Sequence, residues 1–137
     1  LRLNTDSGRV RISGIGGTVR LDLDSADLDL SGIRGPLWAK LDSGRLSARD
    51  LASSSVEITM DSGDIELQFD SAPVAVRTRT DSGQIVIAVP PGTGPYGVRT
   101  DTDSGQTRVD VTTGVSAQHQ IDASTDSGDI TIRYQTA

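Results

Sequence analysis

The sequence has no cysteine, one histidine and only 3% aromatic residues in 137 positions. Without cysteine, neither disulfides nor thiolate metal sites are available, and the compartment stays open. With 34% hydrophobic residues and so few rings, the content is low for one thick globular core. It leaves partial disorder or a thin axial column of Val, Ile and Leu, of which fifteen Gly, five Pro and short alternating segments favour the second. Basic residues are also scarce. The net charge is -6, whereas phosphate binding calls for a basic stripe, so nucleic acid is not an expected partner. No apolar run approaches the length of a membrane span, so direct membrane insertion by this segment is not expected, and the opening "LRLNTD" is not a signal peptide. The sequence reads as a single β-solenoid domain over residues 1–137, a fragment of a longer protein in whose remainder an anchor or export signal could stand.

What the sequence does have is one corner, used repeatedly. "TDSG" stands at 5–8, 80–83, 102–105 and 125–128, "DSG" without the threonine at 42–44 and 61–63, and "DSA" at 24–26. The corner aspartates are Asp6, Asp24, Asp42, Asp61, Asp81, Asp103 and Asp126, separated by 18, 18, 19, 20, 22 and 23 residues. A period near 20 that lengthens slowly marks a solenoid.

Aligned on these aspartates, the apolar positions stack. Four residues on lie Val10, Leu28, Leu46, Ile65, Ile85, Thr107 and Ile130; six on lie Ile12, Leu30, Ala48, Leu67, Ile87, Val109 and Ile132. Five before each later corner come Val19, Leu37, Val56, Val76, Val98 and Ile121. A third column, Ile15, Ile33 and Leu51, serves the early coils. Alternation of this kind marks half-buried strands. The spacing predicts an all-β, single-chain parallel β-solenoid (β-helix) of about six to seven turns, 18–23 residues per turn. Coils stacked in chain order at about 4.8 Å would make a column about 30 Å long.

Outward positions support this register. Arg9, Asp27, Arg45 and Asp64 alternate in sign up one column, and the same stacking puts Asp22 beside Lys40, Glu57 beside Arg77 and Arg79 beside Asp101. Opposite charges on neighbouring strands contribute about 0.2–1 kcal/mol per pair.

At the corner, Asp and Ser can accept hydrogen bonds from nearby backbone N–H groups, and glycine permits the positive φ of a sharp bend. Gly8, Gly44, Gly63, Gly83, Gly105 and Gly128 are therefore read as structural corners. Ala26 would cost about 1 kcal/mol if its backbone were left-handed. Stacked carboxylates repel by about 1 kcal/mol per neighbouring pair even at the dielectric constant of water. Each must then be held by donors of its own coil or share a cation, and a calcium ladder is the minority alternative.

With these corners in register, "TMDSGDIEL", "TRTDSGQIVI" and "STDSGDITI" resemble the repeats of the bacterial toastrack, or adhesin-like β-strand-repeat, family. The resemblance spans nearly the whole chain. It implies a β-solenoid from bacterial envelope proteins, often linked to membrane anchors or envelope-stress systems, with no established catalytic residues. The shared residues are corners and core, so no functional residue carries over.

Other motifs carry less chemistry. "GTGPYG" at 92–97 matches a dinucleotide fingerprint, but Pro95 and the strand that follows leave no helix to meet a pyrophosphate. His119, the single histidine, reads as an exposed loop residue, because the serines that a triad would need belong to corners. Ice binding by Thr arrays fails because Thr78, Thr80, Thr100 and Thr102 share the inward parity of Val76 and Val98. A carbohydrate-active β-helix (binding, lyase or glycosidase) is the main rival, since the outer face offers Arg and carboxylates in quantity. Trp38, Tyr96 and Tyr134 are too scattered for a sugar platform.

The expectation is thus a non-enzymatic scaffold or interaction module with no cofactor, whose partner is a protein or a cell-envelope component. Loops on rigid scaffolds commonly carry recognition. The lengthened segments 89–97 and 112–120, on adjacent coils, are where binding is expected, with Pro91, Tyr96, Val115 and His119 as candidates. Both ends of the stack present open strand edges, which invite capping by neighbouring domains or end-to-end self-association.

Overall fold

The computed structural model describes residues 2–90, 95–114 and 119–134. Pro91 and Val115 lie outside the described residues. The strands are β1(Arg2–Ser13), β2(Val19–Ser31), β3(Leu37–Leu51), β4(Ser55–Phe69), β5(Ala75–Ser82), β6(Ile85–Val89), β7(Tyr96–Ser104), β8(Thr107–Val109), β9(His119–Ser127) and β10(Ile130–Tyr134). Each of the first four runs through its Asp-Ser-Gly/Ala bend from one wall of the solenoid to the next. In later coils the bend separates a pair: β5 from β6, β7 from β8, β9 from β10. Every strand pairing among the described residues is parallel.

Alternation puts aliphatics inside. Val10, Leu28, Leu46, Ile65 and Ile85 stand in successive register, as do Val19, Leu37, Val56 and Val76. From Val19 to Ile132 these columns form one continuous buried core. A short third wall turns at Gly14, Gly32 and Asp50, all with positive φ. It is held by backbone bonds such as Arg34 N to Ile15 O and Ala52 N to Ile33 O, both 2.9 Å.

The expected chain-order stacking holds through five coils and then fails. Up the first wall the order is β1-β2-β3-β4-β5-β9-β7; on the second wall β10 lies between β6 and β8. The last coil is intercalated between the fifth and the sixth, so the sixth ends the stack. Arg79 therefore faces Ser124, not Asp101.

Burial explains the inversion. The inward residues of the last coil, Ile121, Ala123, Thr125, Ile130 and Ile132, are all buried. Those of the sixth are Val98, Thr100, Thr102 and Val109, half-buried, and Thr107, exposed. The polar coil sits at the end of the stack and the aliphatic one within it. Full burial of an aliphatic side chain contributes about 1.5–3 kcal/mol, whereas a buried hydroxyl needs a partner. Charge acts in the same direction. Intercalation gives Arg77–Asp122–Arg99 across three strands, where chain order would have set Arg77 against Arg99.

The longer steps supply the reach. β7 lies two levels beyond β6, about 10 Å, and β9 one level back from β8. Part of this return segment closes over the terminal coil. Tyr96 N donates to Thr112 O at 2.9 Å and Gly114 N to Tyr96 O at 3.0 Å.

Candidate interaction surface

The corner column is structural. Gly8, Gly44, Gly63, Gly83, Gly105 and Gly128 all have φ between +119° and +149°. A Cβ on Gly44 would fall 1.8 Å from Ala26 O, on Gly63 1.8 Å from Gly44 O, on Gly128 1.8 Å from Gly83 O, and on Gly105 1.9 Å from Gly128 O. Backbones thus meet in the intercalated order at a distance only glycine allows. Ala26 does not have the left-handed backbone that would have strained it. The threonine of "TDSG" also has a role: Thr80 and Thr125, both buried, donate to the carbonyls of Ser82 and Ser127 at 3.4 Å. Thr102 Oγ1 reaches Gly128 O at 3.2 Å.

The corner carboxylates point to solvent, and among the described residues none of the seven accepts a hydrogen bond from its own coil. No group of three or more carboxylate or imidazole side chains suited to a metal occurs among the described residues.

Two loop candidates are also placed. Tyr96 is fully buried, its hydroxyl donating to Pro90 O at 3.2 Å. His119 opens β9 half-buried, with Nδ1 2.7 Å from Pro73 O and its ring 5.6 Å from that of Tyr96. These two rings anchor the lengthened segments to the wall and do not form an exposed recognition tip. On the other side of that segment, Thr112 N donates to Tyr134 Oη at 2.9 Å. Hydrogen bonding from Thr112, through its side chain and then its backbone, lowers the Tyr134 phenol below its ordinary value.

The first wall carries an open groove of about 970 Å³ across β4, β5, β9 and β7, bounded at the end of the stack by Thr113 and Gly114. Its outward column reads Glu57, Arg77, Asp122, Arg99, adjacent in that order. Intercalation creates the alternation, since in chain order two guanidiniums would be neighbours. None of these four forms an ion pair within 4 Å among the described residues; the pairs that do form lie elsewhere, at Arg11–Asp29, Arg45–Asp64 and Arg108–Asp110. Below the groove the same column continues through Trp38, with Arg20 4.6 Å over its ring. Glu57 and Asp122 are two levels apart, about 10 Å, with Arg77 between them. Glycosidase carboxylate pairs stand about 5–9.5 Å apart across an open cleft.

The sequence profile of the Toastrack DUF4097 family matches residues 1–133. The chain belongs to this family. Comparison of the toastrack domain with curated proteins and with solved structures gives no match. No helix among the described residues is long and apolar enough to cross a membrane. Sequence reasoning put recognition on the two long loops and missed the groove beside them. The signal was present in Thr107, a hydroxyl in an otherwise aliphatic column, which marks the coil that does not belong inside.

Proposed function

We propose that this toastrack domain is a non-enzymatic β-solenoid scaffold of a bacterial cell-envelope protein, and that its interaction face is the groove on the first wall. One observation carries the reading. Four charges of alternating sign, Glu57, Arg77, Asp122 and Arg99, line an open concave surface without pairing to one another. Set on rigid parallel strands, they are spaced to meet an extended ligand that offers both anionic and cationic or donor groups along its length. The guanidinium of Arg77, standing between Glu57 and Asp122, supports binding over glycoside cleavage.

The test is binding of the chain to peptidoglycan sacculi, to anionic and zwitterionic lipid vesicles and to a glycan panel, with and without Ca²⁺. Released reducing sugar and unsaturated product are assayed in parallel. Binding to one of these that Arg77→Glu and Arg99→Glu each weaken at least tenfold, without product release, is the expected result. Turnover that Glu57→Gln abolishes would replace this reading with a carbohydrate-active one. Binding indifferent to both arginine variants would remove the groove from it.

A further inference from the structure

The groove on the first wall has a pitch as well as a charge pattern. Its charged row runs along the solenoid axis, one residue per coil: Glu57 on β4, Arg77 on β5, Asp122 on β9 and Arg99 on β7. Strand spacing sets neighbouring charges about 4.8 Å apart and charges of like sign about 10 Å apart, so the row spans about 15 Å. Beside it, in the same register, runs a second outward column, Ser55, Ala75, Gln120 and Gly97. Three of these four are small, and together they floor the groove. The Gln120 amide lies across Gly97, where a Cβ would fall 2.5 Å from it.

That pitch discriminates among extended ligands. A peptide strand repeats its side chains on one face every two residues, about 6.8 Å, and so falls out of step with the row. A lipid surface or a nucleic acid offers charge of one sign and selects clustered Lys and Arg, whereas here each guanidinium has a carboxylate beside it. An extended pyranose chain advances by about one strand spacing per sugar. Alternate sugars then fall on alternate coils.

We propose that the groove binds a linear acidic polysaccharide carrying a carboxylate on every second sugar. This rests on the groove being the interaction face and names its ligand. Arg77 and Arg99 each take one uronate, two sugars apart, through the planar fork that matches a carboxylate. Asp122 between them, and Glu57 before them, accept hydrogen bonds from hydroxyls of the neutral sugars. The footprint is four sugars. A polymer with a carboxylate on every sugar would set one against Asp122 and another against Glu57, where like charges repel. The chain's net charge of -6 also opposes a dense polyanion. Recognition is by charge and hydroxyl acceptors, not by a ring platform. The aromatic beside the row, Trp38, stands one level beyond Glu57 and carries Arg20 4.6 Å over its ring.

Titration calorimetry of the chain with three octasaccharides tests this. One is hyaluronan, in which glucuronate alternates with N-acetylglucosamine. The second is the same oligosaccharide with its carboxylates reduced to alcohols, and the third is polygalacturonate, charged on every sugar. Hyaluronan should bind at least tenfold tighter than either of the others. Arg77→Gln and Arg99→Gln should each weaken it at least tenfold, with melting to show that both variants fold. Asp122→Asn should raise the affinity for polygalacturonate at least tenfold, a gain that an unfolded variant cannot give. Polygalacturonate binding as tightly as hyaluronan, undiminished binding of the reduced form, or selectivity unchanged by Asp122→Asn would overturn the proposal. So would binding of none of the three. If none binds while a peptide or a lipid vesicle does so in an arginine-dependent way, the groove remains the interaction face and only its ligand class falls. Hyaluronan binding indifferent to both arginine variants would remove groove and ligand together.

Discussion

A single missing carbon decides much of this solenoid. The inner corner glycines combine positive φ with carbonyls of the neighbouring coil under 2 Å from where a Cβ would stand. Gly63→Ala must push two backbones apart, and should lower unfolding free energy by on the order of 3 kcal/mol. Gly8→Ala meets no neighbour and bears the φ strain alone, about 1–2 kcal/mol. Gly105, although in the terminal coil, still faces Gly128 O and should behave like Gly63. Urea denaturation of the three variants checks this ordering. Thr78 is the converse case. Its hydroxyl is buried between Ile58 and Ala123 with no hydrogen-bond partner. Thr78→Val keeps the shape and removes an unsatisfied polar atom, so it should stabilise by about 1 kcal/mol in the same assay.

At the scale of strands, the position of β9 between β5 and β7 is an energetic statement. Asp122 stands against Arg77 on one side and Arg99 on the other, while Arg79 and Asp101 are separated by Ser124. Double-mutant cycles to alanine should therefore give a favourable coupling of about 0.2–1 kcal/mol for Arg77 with Asp122, and none for Arg79 with Asp101. Chain-order stacking would reverse that outcome. The coupling should fall as salt is raised, because both partners reach solvent. On the second wall, Ile130 is fully buried between Ile85 and Thr107. Ile130→Ala should cost about 2–5 kcal/mol, as for other large-to-small core changes. Thr107→Ala, at the exposed terminal level, should change stability by less than about 0.5 kcal/mol.

For the whole molecule, intercalation changes how the end of the stack can come apart. In an ordinary solenoid each coil leans on the one before it in sequence, and removing the last leaves the rest paired. Here, among the described residues, the strands of the sixth coil pair with the stack only through those of the seventh. A chain ended after residue 114 should lose both: the amides of β7 and β8 should exchange as fast as unfolded ones, while β1 to β4 stay protected. Protection persisting in residues 96–109 of that chain would contradict the inserted order. Folding carries the same dependence, since the sixth coil cannot complete its ladder until the last residues arrive.

The sequence by itself determined the solenoid, its period, its inward columns and the register of the first five coils. These follow from local periodicity, with two residues per strand repeat and about twenty per coil, which any stacking of the chain must respect. Only the tertiary structure decided which coil lies on which at the far end. Neighbour identity there is a competition among whole coils, won by burying Ile121, Ile130 and Ile132 and by separating Arg77 from Arg99. The groove inherited its alternating charges from that decision. Strand pairing is additive along a coil, so a polar coil such as 96–109 reads locally like the others. Its exclusion to the end becomes visible only when the alternatives are stacked against one another.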